Sequence, residues 1–155
     1  MDYNSIFPKL WVGSCPRNAE DVRRLAQETG LSVILSLVTD DDIKRLELPW
    51  PELEEQCRRH GIGLVRMPVT DGDPEDLREK LPDCVLTLDH MLAAGHTVFL
   101  HCVAGIDRAP TVAVAYLHWC LGYQVEEAEA FVVKRRGSSP DVTAIRLASN
   151  AAKFQ

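Results

Sequence analysis

Short apolar runs alternate with amphipathic stretches along the chain, as expected when strands alternate with helices. The clearest buried strand is Leu31–Val38, and a second run, Thr97–Leu100, follows Gly95. Weaker strands are predicted at Ile6–Val12, whose proline is typical of an edge strand, and at Gly63–Val69. Because helices separate these strands, an α/β fold with a central, mostly parallel sheet flanked by helices is expected.

Amphipathic stretches with start and stop signals predict six helices between and after these strands. Asn18 can cap the first, while Gly30 and Gly61 can end the first and the second. Pro82 lies inside the third and is a point where that helix could be interrupted. The predicted helices are Ala19–Glu28, Glu52–His60, Pro74–Ala94, Ala109–Leu121, Val125–Arg136 and Val142–Lys153. The run Asp40–Asp42 is interpreted as a solvated turn or helix start, since adjacent residues do not converge on one metal ion.

Composition indicates a small globular protein. Of its 155 residues, 46% are hydrophobic and 26% are charged, so a single domain spanning residues 1–155 is expected. The formal charge of −6 argues against nucleic acid or an anionic membrane surface as a partner. No apolar stretch reaches the length of a membrane span. A monomer is expected.

The five cysteines are irregularly spaced and form no CxxC pair. The N-terminus carries neither an apolar signal segment nor an Arg/Ser-rich transit peptide, so a reducing, cytoplasmic location is expected. Four of the five are predicted to be core residues rather than disulfide partners: Cys15, Cys57, Cys84 and Cys120.

The most informative stretch is Thr97–Leu117, in which a strand runs into His-Cys, an arginine follows after five residues, and a helix begins. A loop in this position can curl so that successive backbone N–H groups point inward, and the helix dipole adds positive potential there. Such a cradle suits a tetrahedral dianion. We therefore predict a phosphate-binding loop made of Cys102, Val103, Ala104, Gly105, Ile106, Asp107 and Arg108.

Four residues in or next to this loop have predicted roles. Cys102 is the candidate nucleophile, because donors around it should stabilise its thiolate form. Arg108 carries a planar fork that can hold two phosphate oxygens, and Gly105 allows a tight turn or a close approach to the ligand. His101 is expected to fix the loop through hydrogen bonds and to help lower the pKa of the Cys102 thiol. The alternative is a buried histidine with a purely structural role. A buried Cys102 with no catalytic role is disfavoured, because all four residue types occur together at a strand-to-helix junction.

The pattern His101-Cys102-x5-Arg108 resembles the signature of the cysteine-dependent protein tyrosine and dual-specificity phosphatases. From about Tyr3 to Ala148, the chain is most similar to the plant glucan (starch) phosphatases within that superfamily. The resemblance implies a dual-specificity phosphatase-like fold and hydrolysis through a phosphocysteine intermediate, with no metal or cofactor. The further segments that carry it are Val12–Cys15, Glu20–Val22, Asp71–Pro82, Arg108–Pro110, Tyr116, Trp119, Lys134–Arg135, Pro140 and Ala144–Arg146.

The chemistry also needs a proton donor for the departing oxygen, because an alkoxide is a poor leaving group. The resemblance places this general acid at Asp71, in a loop 31 residues before Cys102. Asp107 is the alternative, since an aspartate just before the loop arginine also occurs in myotubularin-like phosphoinositide phosphatases. Asp73, which precedes Pro74, is expected to cap a helix.

Several positions depart from the family pattern. Most tyrosine and dual-specificity phosphatases have serine or threonine after the loop arginine, whereas this chain has Ala109, as in the glucan phosphatases. Its effect on hydrolysis of the intermediate is left open between normal and slow turnover. Leu46, Gly72 and Ser139 stand where glucan phosphatases carry aromatic rings, and Trp50 is the nearby ring that could substitute. The substrate is therefore left open among phosphoglucans, phosphoproteins, phosphoinositides and small phosphate esters. A non-catalytic phosphate-binding module is the less favoured alternative.

Overall fold

The structure is a computed structural model that describes residues 1–148. Its five strands are β1 (Tyr3–Phe7), β2 (Leu10–Gly13), β3 (Val33–Ser36), β4 (Gly63–Arg66) and β5 (Val98–His101). They form one sheet in the order β1-β2-β5-β3-β4. Only the β1–β2 pair is antiparallel, while β2–β5, β5–β3 and β3–β4 are parallel. The predicted mostly parallel sheet is therefore confirmed.

The first edge of the sheet differs from the prediction. A single strand over Ile6–Val12 is wrong, because the chain turns at residues 8–9 and returns as β2. Pro8 has no N–H to donate to a ladder, so the strand ends before it. The resulting hairpin places β2 beside β5, with Gly13 opposite His101 at the end where the predicted loop begins.

Seven helices within residues 1–148 surround the sheet. They are α1 (Ala19–Thr29), α2 (Asp40–Arg45), α3 (Trp50–Arg59), α4 (Pro74–Ala93), α5 (Arg108–Leu121), α6 (Val125–Arg135) and α7 (Val142–Leu147). Asn18 caps α1 through its side-chain oxygen, and Gly30 ends α1 in the left-handed conformation, as predicted. Within residues 1–148, no helix has both the length and the apolar character needed to cross a membrane.

Two helix predictions need comment. Pro82 does not interrupt α4, which runs through it and buries Leu81, Val85 and Leu88 against the core. This burial offsets the roughly 3 kcal/mol that an internal proline costs a helix. The last helix begins at Val142 as predicted and ends at Leu147, whereas residues 149–153 of the prediction lie outside the described residues.

The two faces of the sheet bury separate apolar clusters. Val98 and Leu100 of β5 point into the larger cluster, with residues of α4 and α5, while Phe99 points into a second cluster with α1 and α3. Helices cover both faces, which explains why β3 and β5 are buried along their whole length and begin with apolar runs. The carboxyl ends of β3, β4 and β5 therefore form the edge at which polar side chains collect.

Candidate active site

The predicted phosphate-binding loop lies at the carboxyl end of the central strand. Cys102 directly follows β5 and is buried, and six residues later Arg108 begins α5. The backbone N–H of Gly105 donates to Sγ of Cys102 at 3.3 Å. The loop thus curls back over the sulfur, in the form that the sequence predicts.

Gly105 meets both requirements that call for glycine. Its φ of +71° lies in the left-handed region, which side chains other than glycine rarely adopt. A Cβ atom on it would also stand 2.6 Å from the carbonyl of Gly13 and 2.5 Å from Nη2 of Arg136. The loop is therefore packed against β2 with no room for a side chain.

Four consecutive carbonyl groups of the loop accept hydrogen bonds from the protein around it. The donors are Cys15 N–H to Val103 (3.0 Å), Arg136 Nη2 to Ala104 (3.0 Å), Arg136 Nε to Gly105 (2.7 Å) and Ser139 N–H to Ile106 (2.8 Å). In a trans peptide the C=O and the following N–H point in opposite directions. The N–H groups of residues 104–107 are therefore turned toward the inside of the loop, where an oxyanion would bind.

Arg108 is 2% exposed, and one edge of its guanidinium is firmly held. Its Nη1 group donates to Oδ2 of Asp42 at 2.9 Å and to the carbonyl of Val69 at 2.7 Å. Its Nε finds no hydrogen-bond acceptor among the described residues, although Oδ1 of Asp71 lies 3.4 Å away. The Nε edge is thus available to a phosphate oxygen, as the fork predicted for Arg108 requires.

Of the two interpretations of the aspartate run, a solvated turn or a helix start, the helix start is confirmed, but not every member of the run is solvated. The run does begin a helix, with Asp40 and Asp41 exposed, but Asp42 is buried and also binds Arg45 at 3.0 Å. Burial opposes its ionisation, yet the Thr39 N–H and Arg108 outweigh burial and hold the pKa of the Asp42 carboxyl below its usual value. The missed signal was local, because Thr39 and Asp42 form a capping box.

The two candidate acids both lie close to Arg108. Asp71 sits in the loop between β4 and α4, half-exposed, with its carboxylate facing Nε of Arg108. Asp107 is the residue before α5 and makes no capping hydrogen bond. Burial raises the pKa of the Asp107 carboxyl, and the negative charges of Asp141 and Asp71 add to the effect. Asp73 caps α4 by accepting from the Asp76 N–H, as predicted.

His101 is buried at the end of β5, where its ring stacks on Phe99. Burial lowers the pKa of His101 to about 4, so the ring is neutral at physiological pH. Nδ1 donates to the carbonyl of Cys102 at 2.8 Å. His101 therefore holds the backbone of the candidate nucleophile by hydrogen bonding, and it brings no positive charge to the sulfur.

The surroundings of the loop are polar rather than aromatic. Leu46 packs into a small apolar cluster with Val38 and Leu48, and Gly72 is exposed with open space around it. The ring of Trp50 is half-buried and has the Arg66 guanidinium over it at 5.7 Å, so that face is occupied. A cleft of about 350 Å³ beside Arg108 is lined by Thr39, Asp41, Asp42, Arg45, Thr70 and Asp71.

Within residues 1–148, no three His, Cys, Asp or Glu side chains are grouped as the ligands of a metal ion would be. All five cysteines are free thiols. Cys15, Cys57 and Cys84 are buried and Cys120 is half-buried, as expected for core residues.

Comparison with known proteins gives consistent matches. A protein-family model described as "Dual specificity phosphatase, catalytic domain" matches residues 10–145. The chloroplastic phosphoglucan phosphatase LSF1 of Arabidopsis thaliana is 33% identical over 96% of this chain and 25% of its own length. Laforin of Mus musculus is 30% identical over 88% of this chain and 44% of its own length. The chain therefore spans less than half of the length of these relatives.

A solved structure shows the same fold. The active form of Tk-PTP superposes with a TM-score of 0.75 at 20% sequence identity, covering 97% of this chain and 93% of that one. At this identity the match concerns the fold alone.

Proposed function

The chain belongs to the family of dual specificity phosphatase catalytic domains, and we propose that it hydrolyses phosphate monoesters through a phosphocysteine intermediate. One observation carries this proposal. The Gly105 N–H reaches the sulfur of Cys102 at 3.3 Å, and the N–H groups of residues 104–107 are turned inward. Nε of Arg108, at the end of the same loop, has no hydrogen-bond acceptor within residues 1–148. A nucleophile beside preorganised donors is what transfer of a phosphoryl group requires.

In the first proposed step, the Cys102 thiolate attacks phosphorus and the bond from phosphorus to the ester oxygen breaks. Asp71 gives its proton to that departing oxygen, leaving a phosphocysteine and a free alcohol. The N–H groups of residues 104–107 and Nε of Arg108 hold the equatorial oxygens, on which the negative charge lies.

In the second proposed step, the Asp71 carboxylate takes a proton from water as the water oxygen attacks phosphorus. The bond from phosphorus to sulfur breaks, which restores the Cys102 thiolate and releases inorganic phosphate. Ala109 is buried at the start of α5 and has no hydroxyl to help the thiolate leave. Hydrolysis of the intermediate is therefore the slower proposed step.

Asp107 is the alternative acid. Its carboxyl keeps a proton more readily than a free aspartate does, which favours it as a donor. Asp71 faces Nε of Arg108, the group that would hold the phosphate, and this contact makes it our first choice.

For the substrate, we propose a phosphoglucan ahead of a phosphoprotein or phosphoinositide. LSF1 is named a phosphoglucan phosphatase. Leu46, Gly72 and Ser139 stand where the resemblance to the glucan phosphatases places aromatic rings for sugar. The cleft beside Arg108 offers hydroxyl, carboxylate and guanidinium groups. Such groups can hydrogen-bond the hydroxyls of a sugar without a stacking platform.

The proposed setting is a reducing compartment such as the cytoplasm, because oxidation of the nucleophile would remove the thiolate. One chain supplies every residue of the site, so the proposed active unit is the monomer.

The decisive experiment measures phosphate release from a phosphorylated glucan, an activated aryl phosphate and a phosphotyrosine peptide, with Cys102→Ser as the blank. If the wild type releases phosphate from all three substrates and Cys102→Ser releases none, the mechanism is supported. Unchanged phosphate release by Cys102→Ser would refute Cys102 as nucleophile. Glucan release at or above the other rates would support the proposed substrate. Release from the aryl ester and peptide alone would move the substrate to proteins or phosphoinositides, and oxyanion binding without any release would indicate a binding module.

A further inference from the structure

Arg136 is a buried cation on the outer side of the phosphate-binding loop. It follows the last residue of α6 and is 4% exposed. Its guanidinium reaches two elements that are distant in sequence. On one side it donates to the carbonyls of Gly105 at 2.7 Å and Ala104 at 3.0 Å. On the other side it donates to Oδ1 of Asn4 at 3.0 Å and Oδ1 of Asp2 at 2.9 Å.

The contacts to the carbonyls bear directly on the anion-binding face of the loop. When Arg136 holds the C=O of Ala104 outward, the N–H of Gly105 must point inward, where it meets the Cys102 sulfur. The same holds for the next peptide, whose carbonyl is that of Gly105. A cation bound to a carbonyl also polarises the peptide, which makes the N–H on its other side a stronger donor.

The segment before and within β1 fixes the arginine in turn. Two hydrogen bonds of 2.9 Å join Asp2 and Ser14. The Ser14 N–H donates to the Asp2 carbonyl, and the Asp2 N–H donates to the Ser14 hydroxyl. Asp2 is thereby held at the end of β2, with its carboxylate on Arg136. The ion pair and hydrogen bond to Arg136 lower the pKa of Asp2 despite partial burial, so the charge is present at neutral pH.

We propose that Arg136 is a positioning residue that holds the phosphate-binding loop in its oxyanion-binding form, and that Asp2 and Asn4 align Arg136 for this task. The inference rests on the proposed function, because it assigns a support to that same loop. Arginine is needed because its planar group reaches four acceptors in fixed directions, whereas a lysine ammonium has a single nitrogen.

Tungstate, a tetrahedral dianion, serves as the probe, and its Kd is measured by calorimetry at neutral pH for wild type, Arg136→Lys and Arg135→Lys. Arg135 is the matched control because it is the adjacent residue, exposed, and stacked on Phe131 rather than bound to the loop. We expect Arg136→Lys to bind tungstate about 10-fold more weakly, at a temperature where circular dichroism shows both variants folded. Arg135→Lys should match wild type.

Asp2→Asn provides a milder variant, since the Asp2 side chain is 77% exposed. We expect a rise of roughly 2-fold to 3-fold in the tungstate Kd, because the aligning charge is lost but Asn4 remains. Glu54→Gln, which removes an exposed charge on α3, is the control and should leave Kd unchanged.

A folded Arg136→Lys protein with the wild-type Kd would overturn the inference while leaving the proposed function intact. If Arg136→Lys does not fold, Asp2→Asn decides, and an unchanged Kd there would likewise overturn it. If wild type itself fails to bind tungstate, the proposed function fails and this inference falls with it.

Discussion

Arg108 donates a hydrogen bond of 2.9 Å from Nη1 to Oδ2 of Asp42, and both side chains are almost fully buried. The bond fixes the plane of the guanidinium. Because Nη1 is also held by the Val69 carbonyl, the rotation that would carry Nε away from the loop is blocked. Asp42 therefore sets the direction in which Arg108 can receive an oxyanion.

Replacing Asp42 by asparagine tests this relationship. The variant keeps the shape of the side chain but leaves the buried charge of Arg108 unbalanced, which should lower the free energy of unfolding by about 3 kcal/mol. Misalignment of Arg108 should lower kcat/KM for an aryl phosphate by roughly 100-fold. Chemical denaturation and steady-state kinetics measure the two effects. Asp40→Asn, in the same helix turn but 91% exposed and bound to Arg66, is the control, and equal losses in both variants would contradict the role of Asp42.

Gly105→Ala should lower activity more than the same substitution at a glycine that has a left-handed conformation but open space around it. Gly30 has a similar φ of +66°, but a Cβ atom added to it would meet no other side chain or backbone of the described residues within 4 Å. Gly30→Ala should therefore cost about 1 kcal/mol of stability and leave activity unchanged. Gly105→Ala adds the clash with Gly13 and Arg136 and should lower kcat/KM by roughly 100-fold or more. Kinetics of the two folded variants make the comparison, and near-equal activities would show that the close approach is unimportant.

The parts of the molecule that the sequence predicted are those with local signals. Alternating apolar runs, Asn18, Gly30 and the strand-to-helix junction at Cys102 specify their own structure within a few neighbouring residues. The mostly parallel pairing of the strands also follows, because helices between the strands favour it. Pro82 was ambiguous for the opposite reason, since its local preference is outweighed by burial of α4.

The supports of the site could not be predicted, because they depend on contacts between distant positions. Asp42 is 66 residues from Arg108, and Arg136 is 134 residues from Asp2. In the sequence these side chains look like members of exposed charged runs. A capping box could have singled out Asp42 within its run, but only the tertiary fold shows that its partner is Arg108 and that Arg136 turns inward. The hairpin at residues 8–9 was missed because one weak apolar stretch, Ile6–Val12, joins the end of β1 to most of β2.

His101 should make the stability of the protein fall in mild acid. A histidine in the unfolded chain takes up a proton near pH 6.5, whereas buried His101 resists protonation until about pH 4. Between these values the unfolded state binds more protons, so the free energy of unfolding drops by about 3 kcal/mol as the pH falls from 6.5 to 4. Denaturation of His101→Asn, which retains a donor for the Cys102 carbonyl, should lack this contribution, while the exposed His60→Gln should keep it. The same pH slope in His101→Asn and wild type would contradict the burial of a neutral ring.

Asp71 should have opposite effects on turnover and on oxyanion binding. Its carboxylate stands 3.4 Å from Nε of Arg108, in front of the group that a phosphate oxygen would approach. In its ionised form Asp71 therefore repels an oxyanion, whereas in its protonated form it gives its proton to the leaving oxygen. Asp71→Asn should therefore bind tungstate more tightly, by roughly 2-fold to 5-fold, because an exposed charge is partly screened. The same change should slow hydrolysis of alkyl phosphates by about 100-fold and of activated aryl phosphates much less, since good leaving groups need no acid.

Asp107→Asn separates the two carboxyl groups in these assays. Asp107, unlike Asp71, forms no ion pair with Nε of Arg108, so its replacement should affect tungstate binding less. Hydrolysis of alkyl phosphates by Asp107→Asn should stay within several-fold of wild type if Asp71 is the acid. A dependence on the leaving group that appears only in Asp107→Asn would transfer the role of acid to Asp107, whose pKa is already raised by burial. Equal dependence in both variants would mean that the two carboxyl groups share the proton, as closely coupled acids do.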